Sequence, residues 1–182
     1  MKNTIKMSTG KKIYYFAYGS NMLSDRFFVS NKGTRKGPGI LNDFMLGFNA
    51  FVSGWNGGVV AIIRKKGSIV EGAVWEVDEE SIKTLDIQEE FYNRITVDIE
   101  LRSGEIIQCE TYEFKDSYML EASDESVKYA TLPSLTYLKV IVKGAEESNL
   151  HKDYIHFLRT MNHNGKAVDS RESMLHLEDF HL

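Results

Sequence analysis

The residues best suited to chemistry form a tetrapeptide, Tyr18-Gly19-Ser20-Asn21, that directly follows an apolar run. The first N–H groups of a helix have no partner within it and carry partial positive charge, so a helix that begins here would hold a carboxylate or phosphate. Gly19 would let such a ligand approach the main chain closely. The alternative, that the tetrapeptide is only a turn, stays open at this stage.

A second candidate group is the carboxylate of Glu89, in the last turn of a predicted helix. Counting from Ile82, Leu85 and Glu89 stand at i+3 and i+7, so Glu89 shares the apolar face of that helix. Burial and the negative end of the helix dipole both disfavour a charged carboxylate and would raise its pKa. A carboxylate tuned in this way suits proton transfer near neutral pH. The alternative is a solvated side chain like that of its neighbour Glu90.

Two tyrosine hydroxyls are further candidates for a polar cavity. Tyr92 follows Glu89 by three residues, and Tyr154 lies on the apolar stripe of a helix near the C-terminus. The alternative for each is a buried ring whose hydroxyl is satisfied by a local hydrogen bond.

Several common catalytic arrangements are missing from the sequence. All five histidines follow residue 150, which disfavours a Ser/His/Asp site. No G-x-S-x-G, Walker, G-x-G-x-x-G or H-E-x-x-H string occurs. Cys109 is the single cysteine, so neither an internal disulfide nor a cysteine-based zinc site is expected. We therefore expect no metal and no cofactor.

Composition narrows the class of partner. The chain has 182 residues, 42% hydrophobic and 26% charged, with a formal net charge of −4, which argues against a nucleic-acid partner. Basic clusters within residues 32–36 and 64–66 adjoin glycines, and we interpret them as solvated turns. No apolar segment suits a signal peptide or a membrane span, so we expect a cytoplasmic protein without a membrane partner.

The elements that must position the candidate residues follow from the hydrophobic pattern. The run 13–18 predicts a buried strand, and Ser20 or Asn21 would cap a helix that continues through Phe27. Residues 33–39 contain three glycines and a proline and predict a loop. A further strand is expected over 40–51.

The middle of the chain is rich in predicted strands. Strands over 59–63 and 69–77 would be joined by a tight connection, and a helix capped by Asp78 would run to Glu89. Alternating apolar residues on both sides of Ser103-Gly104 predict a hairpin, which places Cys109 in a sheet.

The C-terminal part predicts helices. One begins at Pro133-Ser134, runs through Val142 and ends at Gly144, and a second carries apolar residues from 150 to 161. Strands and helices without a regular alternation predict an α+β fold, with one curved sheet or barrel flanked by helices. We divide the chain into a disordered-like segment 1–12, a single domain 13–161 and a tail 162–182 of uncertain order.

Two motifs resemble those of a known family. The string YFAYGSN, Tyr15 to Asn21, closely resembles the signature loop of the gamma-glutamylcyclotransferases. Asp86-Ile87-Gln88-Glu89, eleven residues after Trp75, is similar to the family's D-x-x-E element, whose glutamate is catalytic. Other matching residues, in the same order and spacing, are Gly57-Gly58, Tyr92, Arg94, Tyr137, Gly144-Ala145 and Tyr154. The resemblance spans residues 13–158.

The resemblance implies a mixed β-barrel flanked by helices, and an enzyme that cyclises a γ-glutamyl group to 5-oxoproline and releases the attached amine. It implies that Glu89 acts as general base and then as general acid. The substrate-binding residues that it implies are Tyr15, Tyr18, Gly19, Ser20, Asn21 and Tyr154. The expected partner is a small γ-glutamyl compound, with a homodimer left open.

Three features depart from the family pattern. Glu90 stands where the family commonly has glycine, and residues 29–36 lack the Arg-x-Pro segment of many members. Nothing in the family accounts for residues 162–182, which would be a lid, an oligomer contact or a disordered end. The alternatives are a non-catalytic small-molecule binding protein that uses the YGSN loop, and an unrelated anion-binding or acyl-transfer protein. The identity of the γ-glutamyl compound stays open.

Overall fold

The fold is built on a closed barrel of five strands. The computed structural model of the chain describes residues 12–115 and 131–182. The strands are β1 Ile13–Ala17, β2 Gly33–Val52, β3 Gly57–Val77, β4 Tyr92–Leu101 and β5 Ile106–Phe114. Around the barrel their order is β1, β3, β2, β4, β5, and the barrel closes by a parallel pairing of β1 with β5. The other neighbours pair antiparallel, so the predicted mixed barrel is confirmed.

Helices join or cover these strands. They are α1 Ser24–Phe27, α2 Glu79–Gln88, α3 Leu135–Glu147, α4 Lys152–Arg159 and α5 Asp169–Met174. The predicted start of α2 is confirmed, because the Asp78 carboxylate accepts a hydrogen bond from Ser81 N at 2.8 Å. The start of α3 is confirmed in the same way, by Ser134 Oγ and Tyr137 N at 3.1 Å.

Strands β2 and β3 are longer than expected, and the loop predicted over 33–39 is wrong. Those residues form the first part of β2, whose pairing with β3 is interrupted by three bulges. Each bulge carries one residue with positive φ: Gly37 at 130°, Asp43 at 62° and Ala50 at 46°. Such residues bend a strand and increase its twist, which lets one long strand curve around the barrel.

The tight connection predicted over 64–67 is also wrong. Residues 59–63 and 69–77 belong to the single strand β3, and the segment between them bulges opposite Asp43. Gly67, with φ of 80°, donates its N–H to Asp43 Oδ1 at 2.8 Å and closes this bulge. The basic residues 64–66 are exposed, as predicted.

The helix predicted from Ser20 to Phe27 is replaced by two shorter pieces. Residues Ser20–Met22 form a 3-10 turn, Leu23 is extended, and only α1 is α-helical. Neither Ser20 nor Asn21 is the cap, since Gly19 takes that position without a side-chain bond. A tertiary contact explains the break, because Trp75 Nε1 donates to the Asn21 carbonyl at 3.1 Å.

Arg35 fixes the next part of this turn. Its guanidinium donates to the Met22 carbonyl at 2.6 Å and to Ser24 Oγ at 3.0 Å. It also lies 4.6 Å from the centre of the Trp75 ring and pairs with Glu147 at 3.4 Å. The prediction that the cluster around residue 35 is solvated is therefore wrong for Arg35, although Lys32 and Lys36 are exposed.

Helix α3 packs directly on the turn. The predicted end at Gly144 is wrong, since the helix continues to Glu147. A Cβ atom at position 144 would lie 2.6 Å from Leu23 N and 2.8 Å from Met22 C. Glycine is required at this position because the two main chains touch.

Residues 162–182 pack against the rest of the fold. Leu175 and Leu177 are fully buried, and Glu172 pairs with Lys139 of α3 at 3.1 Å. The Arg171 guanidinium lies 4.0 Å above the Trp55 ring. The predicted segment 1–12 falls, apart from Lys12, outside the described residues. Within residues 12–115 and 131–182, no helix combines the length and apolarity needed to span a bilayer.

The contact at Gly144 predicts the effect of adding one methyl group there. Helix propensity alone would favour Gly144→Ala by about 0.5–1 kcal/mol. We expect net destabilisation of about 1 kcal/mol or more, because overpacking against main-chain atoms costs about 1–3 kcal/mol. Chemical denaturation measures this change.

Gly47→Ala is the matched control. It adds the same methyl group, which would lie 3.1 Å from the mobile tip of Ile63, Cδ1. This variant should keep the wild-type stability. A Gly144→Ala protein more stable than wild type would contradict the packing argument.

Candidate active site

One cavity is lined by most of the residues that the sequence analysis proposed as catalytic or substrate-binding. Its lining includes Tyr15, Tyr18, Gly19, Ser20, Asn21 and Glu89. Its volume is about 120 Å³, several times what a single water needs, so it has room for a small molecule. The structure therefore brings the YGSN turn and the carboxylate at position 89 together, although they are distant in the sequence.

The Asn21 side chain connects the two motifs. Its Nδ2 group donates to Glu89 Oε1 at 3.3 Å and to the Tyr15 hydroxyl at 3.1 Å. Its Oδ1 atom accepts a hydrogen bond from Gln88 Nε2 at 3.2 Å. Gln88 Nε2 also donates to Glu89 Oε1 at 2.9 Å. The amide of Asn21 thus holds the carboxylate in a fixed position relative to the turn.

The two oxygens of Glu89 have different surroundings. Oε1 accepts the bonds from Asn21 and Gln88. Oε2 accepts no hydrogen bond from the described part of the chain. One oxygen is therefore held by the protein, and the other is left for an occupant of the cavity.

The position of Glu89 on α2 explains its electrostatics. It follows the last residue of the helix, and its N–H donates to the Leu85 carbonyl at 2.8 Å. Burial raises the pKa of its carboxyl above the ordinary 4.5, while the hydrogen bonds from Gln88 and Asn21 and the charge of Arg26 act against this rise. The raised pKa agrees with the sequence-based prediction, and Glu90 is exposed.

The turn after β1 lines the cavity and contains main-chain N–H groups that its own hydrogen bonds do not use. Its two hydrogen bonds run from Met22 N to the Gly19 carbonyl and from Leu23 N to the Ser20 carbonyl. The amides of Ser20 and Asn21 are the first of this turn and are not used by it. Gly19 is needed for space, since a Cβ there would lie 2.5 Å from Val60 Cγ1.

Tyrosine hydroxyls form much of the polar lining. Tyr18 donates to the Tyr112 carbonyl, and Tyr92 donates to the Val60 carbonyl at 2.7 Å. The Tyr137 hydroxyl instead accepts a hydrogen bond from Val60 N at 3.4 Å. Burial raises the pKa of Tyr18, Tyr92 and Tyr137, so these hydroxyls stay protonated at neutral pH.

Tyr154 lies elsewhere, in contrast to the other predicted binding residues. It is not part of the cavity lining; its ring centre is 5.6 Å from that of Phe157, and its hydroxyl is near Glu71. The tyrosine that α3 does present to the cavity is Tyr137. The binding role of Tyr154 was implied by the family resemblance, whereas its place on an apolar stripe left open a ring that is simply buried, and in the structure the ring packs in the core.

Sequence reasoning also missed Arg26 and Trp55, which both line the cavity. The sequence did contain an indication for Arg26, because this residue occurs at helical spacing among the buried residues of the turn. Trp55 packs against Tyr137, with their ring centres 4.7 Å apart. No group of three or more His, Cys, Asp or Glu side chains in residues 12–115 and 131–182 is arranged to hold a metal ion.

Comparisons with known sequences agree with these motifs. The sequence model of the AIG2-like family matches residues 69–158. The chain is 33% identical to the gamma-glutamylcyclotransferase of Mus musculus in an alignment of 178 positions that covers 91% of this chain and 89% of the relative. It is 31% identical to the Homo sapiens gamma-glutamylcyclotransferase in an alignment of 173 positions that covers 88% of this chain and 86% of the relative.

Comparisons with solved structures agree with the barrel. A gamma-glutamyl cyclotransferase has a TM-score of 0.80 at 28% identity, and the match covers 91% of this chain and 99% of the other. An uncharacterized protein from Homo sapiens has a TM-score of 0.79 at 29% identity, with 91% and 98% covered. A glutathione-specific gamma-glutamyl cyclotransferase from yeast, 12% identical with a TM-score of 0.54, shares the fold over 81% of this chain and 96% of its own length.

The partial burial of the Glu89 carboxylate, which raises its pKa, predicts that its ionisation lowers the stability of the protein at neutral pH. Because its folded pKa is raised, the folded protein loses stability as pH rises from 4.5 through that pKa. Glu89→Gln removes this cost and keeps an oxygen for the bonds from Asn21 and Gln88. We expect the variant to be more stable than wild type at pH 7.5, with the difference disappearing below pH 4.5 in urea denaturation.

Glu90→Gln is the matched control, since it makes the same change on an exposed neighbour. It should show no gain in stability at either pH. An equal gain for both variants would mean that burial of Glu89 is not the cause.

Proposed function

The chain belongs to the gamma-glutamylcyclotransferase family, and on this premise we propose that Glu89 drives the cyclisation of a γ-glutamyl group to 5-oxoproline with release of the attached amine. One observation carries the proposal: Glu89 is hydrogen-bonded to Asn21 of the YGSN turn, inside a cavity that both of them line. The lining of one small cavity thus includes the carboxylate proposed for proton transfer and the turn whose first main-chain N–H groups are unused.

We assign the YGSN turn as the binding site for the α-carboxylate of the substrate. The main-chain N–H groups of Ser20 and Asn21 are free of the turn's own hydrogen bonds, and such groups bind anions well. The α-ammonium group is bonded to the same carbon as this carboxylate. It therefore lies near Glu89, whose Oε1 is only 3.3 Å from Asn21 Nδ2.

Glu89 then relays protons from the attacking nitrogen to the leaving nitrogen. Its carboxylate takes a proton from the α-ammonium, and the free amine attacks the γ-carbonyl carbon to form the new C–N bond of the five-membered ring. As the C–N bond to the leaving group breaks, Glu89 returns this proton to the departing nitrogen. The ring nitrogen then gives its second proton to the same carboxylate, which passes it to the released amine, so the amine departs as an ammonium and Glu89 is ionised again. No water is consumed, and the raised pKa of Glu89 suits a group that must act as base and then as acid.

Two tyrosine hydroxyls have protons to offer the γ-carbonyl oxygen. Tyr137 accepts from Val60 N, and Tyr15 accepts from Asn21 Nδ2, so the proton of each hydroxyl is available for donation. Tyr18 and Tyr92 already donate to carbonyl groups of the protein. Donors of this kind stabilise the negative charge that develops on a carbonyl oxygen under attack.

Holding the flexible glutamyl chain in a bent form is a further contribution of the cavity. An intramolecular nucleophile that is held in reacting geometry can gain about 7–11 kcal/mol over one that is free. The hydrogen-bonded side chains of Asn21 and Glu89 provide a rigid surface for this purpose.

Glu89→Gln tests the assigned proton transfer. The amide keeps the shape of the side chain but cannot accept the proton, so we expect kcat for 5-oxoproline formation from γ-glutamyl dipeptides to fall by about 10²–10⁴-fold. Mass spectrometry of the product measures the change. Glu90→Gln is the control and should keep wild-type turnover, whereas wild-type turnover by Glu89→Gln would refute the role of Glu89.

A pair of tyrosine variants tests the placement of α3 and α4. Tyr137→Phe removes a hydroxyl from the cavity, and we expect kcat/KM to fall by about tenfold or more, the effect of one lost hydrogen bond to a developing charge. Tyr154→Phe removes a hydroxyl outside the cavity and should leave kcat/KM unchanged. The reverse order of effects in the same assay would contradict the assignment of Tyr137.

A further inference from the structure

Arg26 is a charged residue of the cavity that the mechanism above does not use. It lies in the single turn of α1, and its side chain is partly buried. Among the described lining residues, Arg26 and Glu89 are the two that carry a formal charge. The cavity therefore presents one cation and one anion to its occupant.

Among residues 12–115 and 131–182, no anionic side chain pairs with the guanidinium of Arg26. Its Nε atom is buried without a hydrogen-bond partner, and its side chain makes no ion pair with the described residues. It lines the same cavity as Glu89, Tyr15 and Tyr137, and its positive charge acts to lower the pKa of all three groups. Buried charges are normally paired, because an unpaired one loses its hydration without compensation. An anionic group of the occupant would supply the missing partner.

The charges of a γ-glutamyl amino acid identify that group, and this step rests on the proposed function. Such a substrate has one ammonium and two carboxylates. The ammonium is assigned to Glu89 and the α-carboxylate to the main-chain amides of Ser20 and Asn21. The second carboxylate, on the leaving amino acid, has no partner among these groups. Arg26 is the charged lining residue to which no substrate group has been assigned.

We infer that Arg26 binds the carboxylate of the leaving amino acid and thereby selects γ-glutamyl amino acids over γ-glutamylamines. The planar guanidinium presents paired N–H donors that match the two oxygens of a carboxylate. A γ-glutamylamine brings no carboxylate to this position and leaves Arg26 unpaired in the cavity. Discrimination therefore comes from the lost contact between the guanidinium and a carboxylate.

The experiment compares two substrates that differ only in this carboxylate, γ-glutamylalanine and γ-glutamylethylamine. We expect the wild-type kcat/KM to be at least about thirtyfold higher for γ-glutamylalanine, as for other paired charges that are desolvated. Arg26→Gln should abolish most of this preference, because it should lower kcat/KM for γ-glutamylalanine and should not lower it for γ-glutamylethylamine. Arg26→Lys should retain part of it, because the charge remains and the paired donors do not.

Arg102→Gln is the matched control. Arg102 is exposed, and its guanidinium donates to the Asn149 carbonyl, away from the cavity. This variant should keep the wild-type preference. Circular dichroism of all variants checks that each is folded.

Binding measured in the Glu89→Gln background separates this inference from the proposed function. There, calorimetry should show tighter binding of γ-glutamylalanine than of γ-glutamylethylamine, and Arg26→Gln should remove the difference. A wild-type protein that forms no 5-oxoproline would refute the proposed function, whereas this binding difference would still decide the role of Arg26.

Two results would overturn the inference. One is a wild-type protein that does not distinguish the two compounds in turnover or in binding. The other is an equal loss for both compounds in Arg26→Gln, because Arg26 would then bind the part that they share, the γ-glutamyl group. A loss confined to γ-glutamylalanine in both assays supports the inference.

Discussion

The hydrogen bond between Asn21 and Glu89 is the contact on which the site depends, because it joins two segments that are distant in the sequence. The Asn21 amide also contacts the Tyr15 hydroxyl and the side chain of Gln88. Both of its N–H groups and its oxygen are thereby used. A polar network satisfied to this degree is rigid inside a protein. The carboxylate is therefore oriented before any substrate arrives.

The barrel holds this contact from several sides. Trp75 of β3 donates to the Asn21 carbonyl, and Arg35 of β2 donates to the carbonyl of the next residue, Met22. From the outside, α3 touches the same turn at Gly144. A turn of three residues could not keep its shape alone, since short helical segments are unstable in water. The shape of the turn is therefore set by its contacts with the strands and with α3. For this reason the YGSN turn and Glu89 can take up their relative positions only in the complete barrel.

The sequence predicted correctly those elements whose ends are set by neighbouring residues. It failed where the conformation of a segment depends on a partner that is distant in the sequence. Asp78 caps α2 through a residue three positions away, and that start was predicted. The segment 33–39 contains the glycines and proline of a loop, yet it pairs with β3 and bulges at Gly37. A bulge and a turn need the same left-handed residues, so the sequence of one strand cannot distinguish them. The same limit applies to the site: the inward position of Glu89 follows from helix periodicity, whereas the choice between Tyr137 and Tyr154 depends on how α3 and α4 pack.

The charges in the cavity act on one another as well as on a substrate. Burial raises the pKa of Glu89, and the nearby charge of Arg26 lowers it, without an ion pair between the two side chains. A carboxylate bound at Arg26 would cancel much of that lowering and make Glu89 a stronger base, while the ammonium of the same substrate acts in the opposite direction. The proton affinity of Glu89 then depends on which charges the occupant brings. An uncharged leaving group would leave Arg26 unneutralised and Glu89 a weaker base. In the proposed mechanism, recognition of the leaving group would therefore be coupled to proton transfer through Coulomb interactions inside one small volume.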